Sequence, residues 1–418
     1  MKSRSLRVLR TAQRPLALAL GLVLASCAAP PRRPAVPAEL ADRATVLNMP
    51  AVRTWGNELN PAFKEELIRS TKRELDLRRQ TGQTGPLPPA YFLAISGGGA
   101  NGAYGAGILC GWTASGKRPE FKVVTGISTG ALTAPFAFLG PKYDDQLRKV
   151  YTSVKTDQIA KFRGLLAGLF SDALMDTTPL QRLMAELVDE PMMRDIATEY
   201  ARGRLLLVGT TNLDAGRGVI WNIGAIAASG NPQALTLIHN ILRASAALPA
   251  AFPPVMIDVE VDGKHYQEMH VDGGARAQVF LYPPSLELRS EAAAEGVQRD
   301  RIAYVIRNAR LDPDWASVER RTLSIAGRAI SSLIQTQGFG DLYRIYLVAR
   351  RDGVDFNLAY IPATFQETPK EDFDPVYMTK LFDVGFAAAK DGYPWEKTPP
   401  GLVAESAPAP TGPAAQRD

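Results

Sequence analysis

Short apolar runs alternate with longer stretches of helical periodicity along this chain, and glycine, proline or aspartate punctuates most of the boundaries. Tyr91–Ile95 and Phe121–Ile127 are apolar runs of strand length, each followed by glycines, and both predict covered strands. Roughly thirty residues separate the two glycine turns that follow them, the length of a β-α-β unit, so the strands are expected side by side and parallel. Arg204–Thr211 (RLLLVGTT) predicts another buried strand, with Val219–Ile223 as its antiparallel neighbour across the Asn212–Gly218 turn. Asp262-Gly263 reads as a hairpin turn between MIDVEV and KHYQEMHV. Arg301–Ile306 and Phe356–Ile361 are further strand candidates. Helical patterns cover Asn57–Gln80 after Pro61, most of Tyr143–Tyr200, and Met378–Lys390 with Leu381, Phe382 and Phe386 inward. Asp176-Thr177-Thr178-Pro179 supplies a helix start within the second of these. In Ile238–Pro254 small residues suit close packing on a sheet, and the double proline is expected to end that helix. Ile325–Arg350 carries helical and apolar runs, although Asp341–Ala349 fits either helix or strand.

With 418 residues and 46% apolar content, the chain is long enough for one large domain or two ordinary ones around a substantial core. Its basic excess changes meaning once located. Lys2, Arg4, Arg7, Arg10 and Arg14 precede the apolar run Leu16–Leu24 without an acid among them, the pattern of a secretory leader too short to span a membrane stably. With those five set aside, 43 basic residues face 43 acidic ones, and no electrostatic argument for nucleic acid remains. Leu24-Ala25-Ser26-Cys27 resembles the lipobox of bacterial lipoproteins, which implies cleavage before Cys27 and lipid on its sulfur. Ala28 and Ala29 follow where some lipoproteins of two-membraned bacteria carry a retention aspartate, so the periplasmic face of the outer membrane is the expected location. Cys110 is then the one remaining thiol, and three histidines without C-x-x-C or H-E-x-x-H spacing give no recognisable metal site. The expected organisation is a leader over 1–26, a Pro/Ala-rich tether and accessory helix over 27–89, a catalytic domain over 90–397, and a disordered tail over 398–418.

Candidate chemistry gathers at two glycine turns. Gly97, Gly98 and Gly99 follow the first strand and can aim backbone N–H groups into one small volume at a helix start. Gly97-x-Gly99-x-x-Gly102 also fits a dinucleotide fingerprint, but Gly126–Gly130, which closes the second strand, holds no acid for a ribose. Instead Gly126-Ile127-Ser128-Thr129-Gly130 is a G-x-S-x-G motif between strand and helix, the context of a nucleophile elbow. Asp272-Gly273-Gly274 ends a later strand, where aspartate either shapes a turn or serves as a base. A Ser-Asp-His triad would need a histidine late in the chain, whereas His239, His265 and His270 all precede Asp272. His270 lies two residues from Asp272, on the same face of an extended strand, and is a candidate modulator of that aspartate.

Taken together, the S-G-G-G turn, the elbow, the ASAALPAAFPP segment and D-G-G resemble the patatin-like phospholipases in order and spacing, from about Ala90 to the mid-300s. The resemblance implies an α/β fold, a three-layer α/β/α sandwich with a mainly parallel central sheet, and a Ser-Asp dyad acting on lipid acyl esters without a cofactor. It assigns Ser128 as nucleophile, Asp272 as base and Gly97, Gly98 and Gly99 as the oxyanion site. Asn101 stands where many members carry Arg or Lys, which removes a cation from that site. The implied partners are membrane lipid as substrate and, through Cys27, the bacterial membrane as support. A non-enzymatic lipid-binding or lipid-transfer lipoprotein is the alternative from another class, and intact Ser128 and Asp272 argue against it.

Overall fold

The computed structural model describes residues 31–164, 171–312, 315 and 317–402. Cys27, the leader and the chain past 402 lie outside these residues. Nine strands build the main sheet: β1 (Arg53–Trp55), β2 (Ala90–Ile95), β3 (Phe121–Ile127), β4 (Leu205–Asn212), β5 (Arg217–Asn222), β6 (Val255–Val261), β7 (Lys264–Asp272), β8 (Arg301–Arg307) and β9 (Asp355–Tyr360). Their order is β1-β5-β4-β3-β2-β8-β9, with β7 added on β4 and β6 on β7. The β4-β3-β2-β8-β9 stretch is parallel throughout, while β1, β5, β6 and β7 pair antiparallel. Parallel strands need both faces covered, and their side chains alternate accordingly.

Seven helices matter for the site: α1 (Pro61–Gln80), α2 (Gly102–Ala114), α3 (Thr129–Leu139), α4 (Asp144–Ser153), α5 (Ala234–Ser245), α6 (Thr322–Asp352) and α7 (Pro375–Lys390). Leu93 and Ile95 of β2 pack with Tyr104, Ile108 and Phe382 from α2 and α7 on one face. Phe92 and Ala94 of the same strand pack with Leu342, Ile345 and Ala349 of α6 on the other. The result is helices on both sides of a mainly parallel sheet, the α/β/α sandwich expected. Both faces of α2 are buried, and a Cβ on Gly107 or Gly111 would lie 2.1 or 2.2 Å from a carbonyl oxygen of α7. Small residues therefore set the spacing of these two helices.

Three expectations change, and one left open between helix and strand is settled. Segment 31–58 is part of the folded body: Arg32 pairs with Asp214 at 2.8 Å, Gln267 donates its N–H to the Pro34 carbonyl, and β1 extends the sheet beside β5. Its short, polar sequence hid a strand whose partner is some 165 residues later in the chain. The helix expected over Ile238–Pro254 ends at Ser245, well before the double proline, because the Ala247 carbonyl is taken by the N–H of Asp272 rather than by the helix. Asp341–Ala349 is helix, continuous with the rest of α6. Residues 399–402 are also attached, through the Tyr343 hydroxyl on the Pro400 carbonyl.

Candidate active site

The junction between two strand partners of β4 creates the site. Along one edge of β4, Gly209 is the last residue opposite β3, where it faces Ile127. The next residue, Thr210, already faces Asp272 of β7. Ser128 follows Ile127 directly, so the end of β3 and the end of β7 meet at one point on the carboxyl edge of the sheet. There the Ser128 hydroxyl lies near enough to the Asp272 carboxylate to stabilise its charged form. The hairpin turn that aligns β7 forms as read, with Asp262 and Gly263 both at positive φ.

Ser128 sits at φ 56°, ψ −127°, a strained conformation for a residue with a side chain. Its neighbours explain how the strain is held. A Cβ on Gly126 would lie 2.3 Å from the Gly130 carbonyl oxygen, and one on Gly130 would lie 2.3 Å from that of Ile95. Both flanking glycines are thus steric requirements of a turn folded tightly on itself and on β2. The backbone N–H of Ser128 donates to the Ser245 hydroxyl at 3.0 Å, and that hydroxyl donates to the Gly209 carbonyl at 2.7 Å. Ser128 also caps the N-terminus of α3, where the helix dipole favours negative charge.

Asp272 is only 4% exposed. Burial pushes its carboxyl up to about 6, against the lowering effect of the nearby Ser128 hydroxyl and of a hydrogen bond from the Gly274 N–H. The Gly274 bond is 2.7 Å long. A carboxylate so placed is a stronger base than a solvated aspartate and is still ionised at neutral pH.

The glycine turn closes the third side. Gly98 and Gly99 have φ of 156° and 56°, both are exposed, and neither N–H has an acceptor among the described residues. Gly97 differs from expectation. Its N–H donates to the Gln278 carbonyl at 3.0 Å, so it is unavailable to an oxyanion, and its lack of a side chain leaves room for Ser128, whose Cβ would be 3.2 Å from a Cβ there. Backbone N–H groups without acceptors are the kind of donor that stabilises a developing oxyanion. Gly102 serves packing: a Cβ there would lie 2.2 Å from the Thr129 hydroxyl. A Cβ on Gly273 would meet the Gly209 carbonyl at 2.6 Å, so this half of D-G-G is also steric.

Residues that sequence reasoning passed over hold the turn in place. Asn308, just past β8, accepts the Gly105 N–H at 3.1 Å and donates to the Ser96 carbonyl at 3.0 Å. Gln278 receives Gly97 on its carbonyl, donates its side-chain amide to the Gly274 carbonyl at 3.0 Å, and donates its own N–H to Asp341 at 2.6 Å. Asp341 is buried on α6, and burial raises its carboxyl above the usual range. One glutamine thereby ties the glycine turn to D-G-G. Asn and Gln carry no motif of their own, and only their three-dimensional placement marks them.

Asn101 and His270 are occupied elsewhere. The Asn101 side-chain carbonyl accepts the Tyr377 hydroxyl at 2.7 Å. His270 is fully buried, with Nδ1 3.0 Å from the Thr210 hydroxyl and Nε2 3.0 Å from Glu268, and burial lowers its pKa. Burial alone would raise Glu268, but Arg53 and His270 hold it at about 2. This network belongs to the wall behind the site, and neither ring nitrogen is left for Asp272. Among the described residues no three His, Cys, Asp or Glu side chains cluster as a metal would need.

Residues 93–283 match the family model described as patatin-like phospholipase. No curated protein matches the chain. Among solved structures, the chain resembles VipD from Legionella pneumophila at 12% identity and TM-score 0.36, covering 73% of this chain and 67% of that one. It resembles human GIVD cytosolic phospholipase A2 at 12% identity and TM-score 0.31, over 76% and 56% of the two chains. ExoU of Pseudomonas aeruginosa, solved in complex with SpcU, is similar at 12% identity and TM-score 0.26, over 73% and 52%. Residues 93–283, which span the glycine turn, Ser128 and Asp272, thus carry a patatin-like phospholipase domain, the domain of a lipid acyl hydrolase.

Proposed function

We propose that the protein hydrolyses acyl esters of membrane phospholipids or lysophospholipids through a Ser128–Asp272 dyad, with the Gly98 and Gly99 N–H groups as oxyanion donors. The observation that carries this reading is the meeting of Ser128 with a buried, still ionised Asp272 where β3 and β7 end on β4, near two backbone donors without acceptors. In the first step Asp272 takes the hydroxyl proton while Ser128 Oγ bonds to the ester carbon, and the carbonyl oxygen becomes an oxyanion between the two glycine N–H groups. Collapse breaks the ester bond, and the leaving alcohol takes the proton from Asp272. Water then attacks the acyl-serine with Asp272 again as base, releasing a fatty acid and restoring the serine. One oxyanion donor is worth about 2.7–4 kcal/mol of transition-state stabilisation in a hydrolase where it was removed.

We further propose that lipidation of Cys27 holds the enzyme at its substrate, on the periplasmic face of the outer membrane of a two-membraned bacterium. Among the described residues no helix is long and apolar enough to cross a membrane.

The test is product analysis from defined phospholipids, lysophospholipids and neutral glycerides with the wild type and with Ser128→Ala. Release of free fatty acid that disappears in Ser128→Ala is the expected result. Binding without turnover by the wild type on every ester would replace the hydrolase by the lipid-carrier reading.

A further inference from the structure

The carboxyl edge of the sheet, where Ser128 opens, is also the edge from which α6 projects. Its second half, with Leu342, Ile345 and Ala349, lies on the sheet. At Gly338–Asp341 the helix reaches the sheet's edge: a Cβ on Gly338 would touch the Arg307 guanidinium at the end of β8, and Asp341 binds Gln278 beside the glycine turn. Residues 322–337 therefore run on past the edge by about 24 Å at 1.5 Å per residue. Along this overhang Ile325, Ala326, Ala329, Ile330 and Leu333 fall on one helical face, at spacings of one, three and four, and all are exposed. Leu333 is 69% exposed, Ile325 52% and Ile330 50%. Trp315, in the approach to the helix, is 87% exposed, and Val318 is exposed with it.

A run of large apolar side chains left in water over several turns marks a surface with a partner. Two further observations identify its chemistry. The charges around the stripe are mainly cationic, Arg320, Arg321 and Arg328 against Glu319, and the two arginines at its start are exposed. The first described residues also lie at this edge, since Arg32 is held by Asp214 just past the carboxyl end of β4. Four residues lie between Cys27 and Arg32, so the five steps reach at most about 18 Å.

We infer that the projecting half of α6, with Trp315, is a membrane-docking element that enters the headgroup region of an anionic bilayer and brings the Ser128 edge onto its substrate. The choice of a lipid partner rests on the hydrolase reading above. Apolar side chains replace water with acyl-chain contacts, and the flanking arginines meet anionic headgroups. Docking on this edge also lets a lipid reach Ser128 without crossing water, and a lipid anchor at Cys27 would hold the same edge down.

Trp315 supplies the probe, because Trp55, Trp112 and Trp221 are buried and Trp395 is half-buried. The full chain is mixed with vesicles of brominated phosphatidylcholine, with or without phosphatidylglycerol, and tryptophan emission is recorded. The expected result is a blue shift with at least twofold quenching of the exposed component, stronger with phosphatidylglycerol, and absent in Trp315→Phe. Ile330→Glu with Leu333→Glu, two exposed positions where folding is not at stake, should cut both the quenching and vesicle-lipid hydrolysis at least tenfold. Turnover of a dispersed short-chain ester should stay within twofold. Unquenched Trp315, or unchanged vesicle hydrolysis in the double variant, would overturn the docking assignment. So would a change from dimer to monomer in sedimentation on introducing the two glutamates, which would make the stripe an interface between copies. A wild type that is quenched yet cleaves no ester in either form would overturn the hydrolase reading and leave docking in place.

Discussion

Burial of Asp272 works in opposite directions on stability and on catalysis. Its folded pKa of about 6 lies above the ordinary value of 3.8, so between those pH values the folded state holds more protons than the unfolded one. Stability attributable to this residue is therefore greatest below about pH 4 and falls as pH rises through about 6, by on the order of 3 kcal/mol. Activity should do the reverse, since the base must be ionised: kcat/KM for a soluble ester is expected to rise through an apparent pKa near 6 and then level off. Asp272→Asn should lower kcat by several orders of magnitude while shrinking the loss of stability between pH 4 and pH 8, as read by urea melts at both. A fully active Asp272→Asn enzyme would end the two-residue mechanism. Gly98 and Gly99 make a second pair of tests. A Cβ on Gly98 would be 2.3 Å from the Asn308 carbonyl oxygen, whereas one on Gly99 meets nothing within 4 Å. Gly98→Ala should therefore reduce kcat at least about a hundredfold by turning its N–H away. Gly99→Ala should cost about 1–2 kcal/mol of backbone strain at φ 56° and retain most turnover. If the two variants behave alike in kcat and in circular-dichroism melts, the glycine turn is not a directed donor pair.

Among the elements, β1 has the least obvious consequence. Arg53, on this three-residue strand, donates to the Glu268 carboxylate at 3.0 Å and to the Ala44 carbonyl at 2.9 Å, and Glu268 in turn holds His270. All three charged or titratable side chains are buried. Arg53→Met would leave Glu268 charged and unpaired in the interior, a loss of about 3–5 kcal/mol for a broken buried pair. Urea denaturation should register that loss with the dyad's chemistry per folded molecule unchanged, because neither Arg53 nor His270 reaches Asp272. A change under about 1 kcal/mol would show that segment 31–58 is dispensable to the fold. The elements that carry the site are fixed more locally: α3 begins at the strained Ser128, and the Gly126–Gly130 turn tolerates no side chain at either end.

For the molecule as a whole, one edge of the sheet collects the dyad, the glycine turn, the overhang of α6 and the first described residues. Under the anchoring proposal, Cys27→Ser should release or mislocalise the protein in membrane fractionation, with turnover of dispersed short-chain esters nearly unchanged. Mass spectrometry of the mature N-terminus is the direct check. An unmodified Cys27, or cleavage elsewhere, would remove the anchor without touching the hydrolase. Under that proposal only four residues lie between Cys27 and Arg32, where the described body is held. The enzyme would then work close to the surface that holds it.

Local chemistry made much of this legible in advance. Apolar runs located β2, β3, β4, β8 and β9, and the strand-turn-helix context marked Ser128, because a sharp turn with glycines on both sides has few other uses. Asp272 was weaker evidence taken singly, since aspartate before two glycines also builds ordinary turns. What the sequence could not contain was the meeting of distant backbones. Gly97 was indistinguishable from Gly98 and Gly99 until the Gln278 carbonyl, 181 residues on, claimed its N–H. The exchange of partners along β4 at Gly209 and Thr210 put Ser128 and Asp272 in contact, and no local pattern encodes a register between strands so far apart. Arg53, Asn308, Gln278 and Asp341 act through single hydrogen bonds to groups remote in the chain. Residue type and spacing thus determined the strands and the elbow with its serine, whereas the tertiary structure decided which N–H groups are free, how basic the aspartate is, and which way the site faces, because those depend on burial and on contacts that exist only once the sheet has closed.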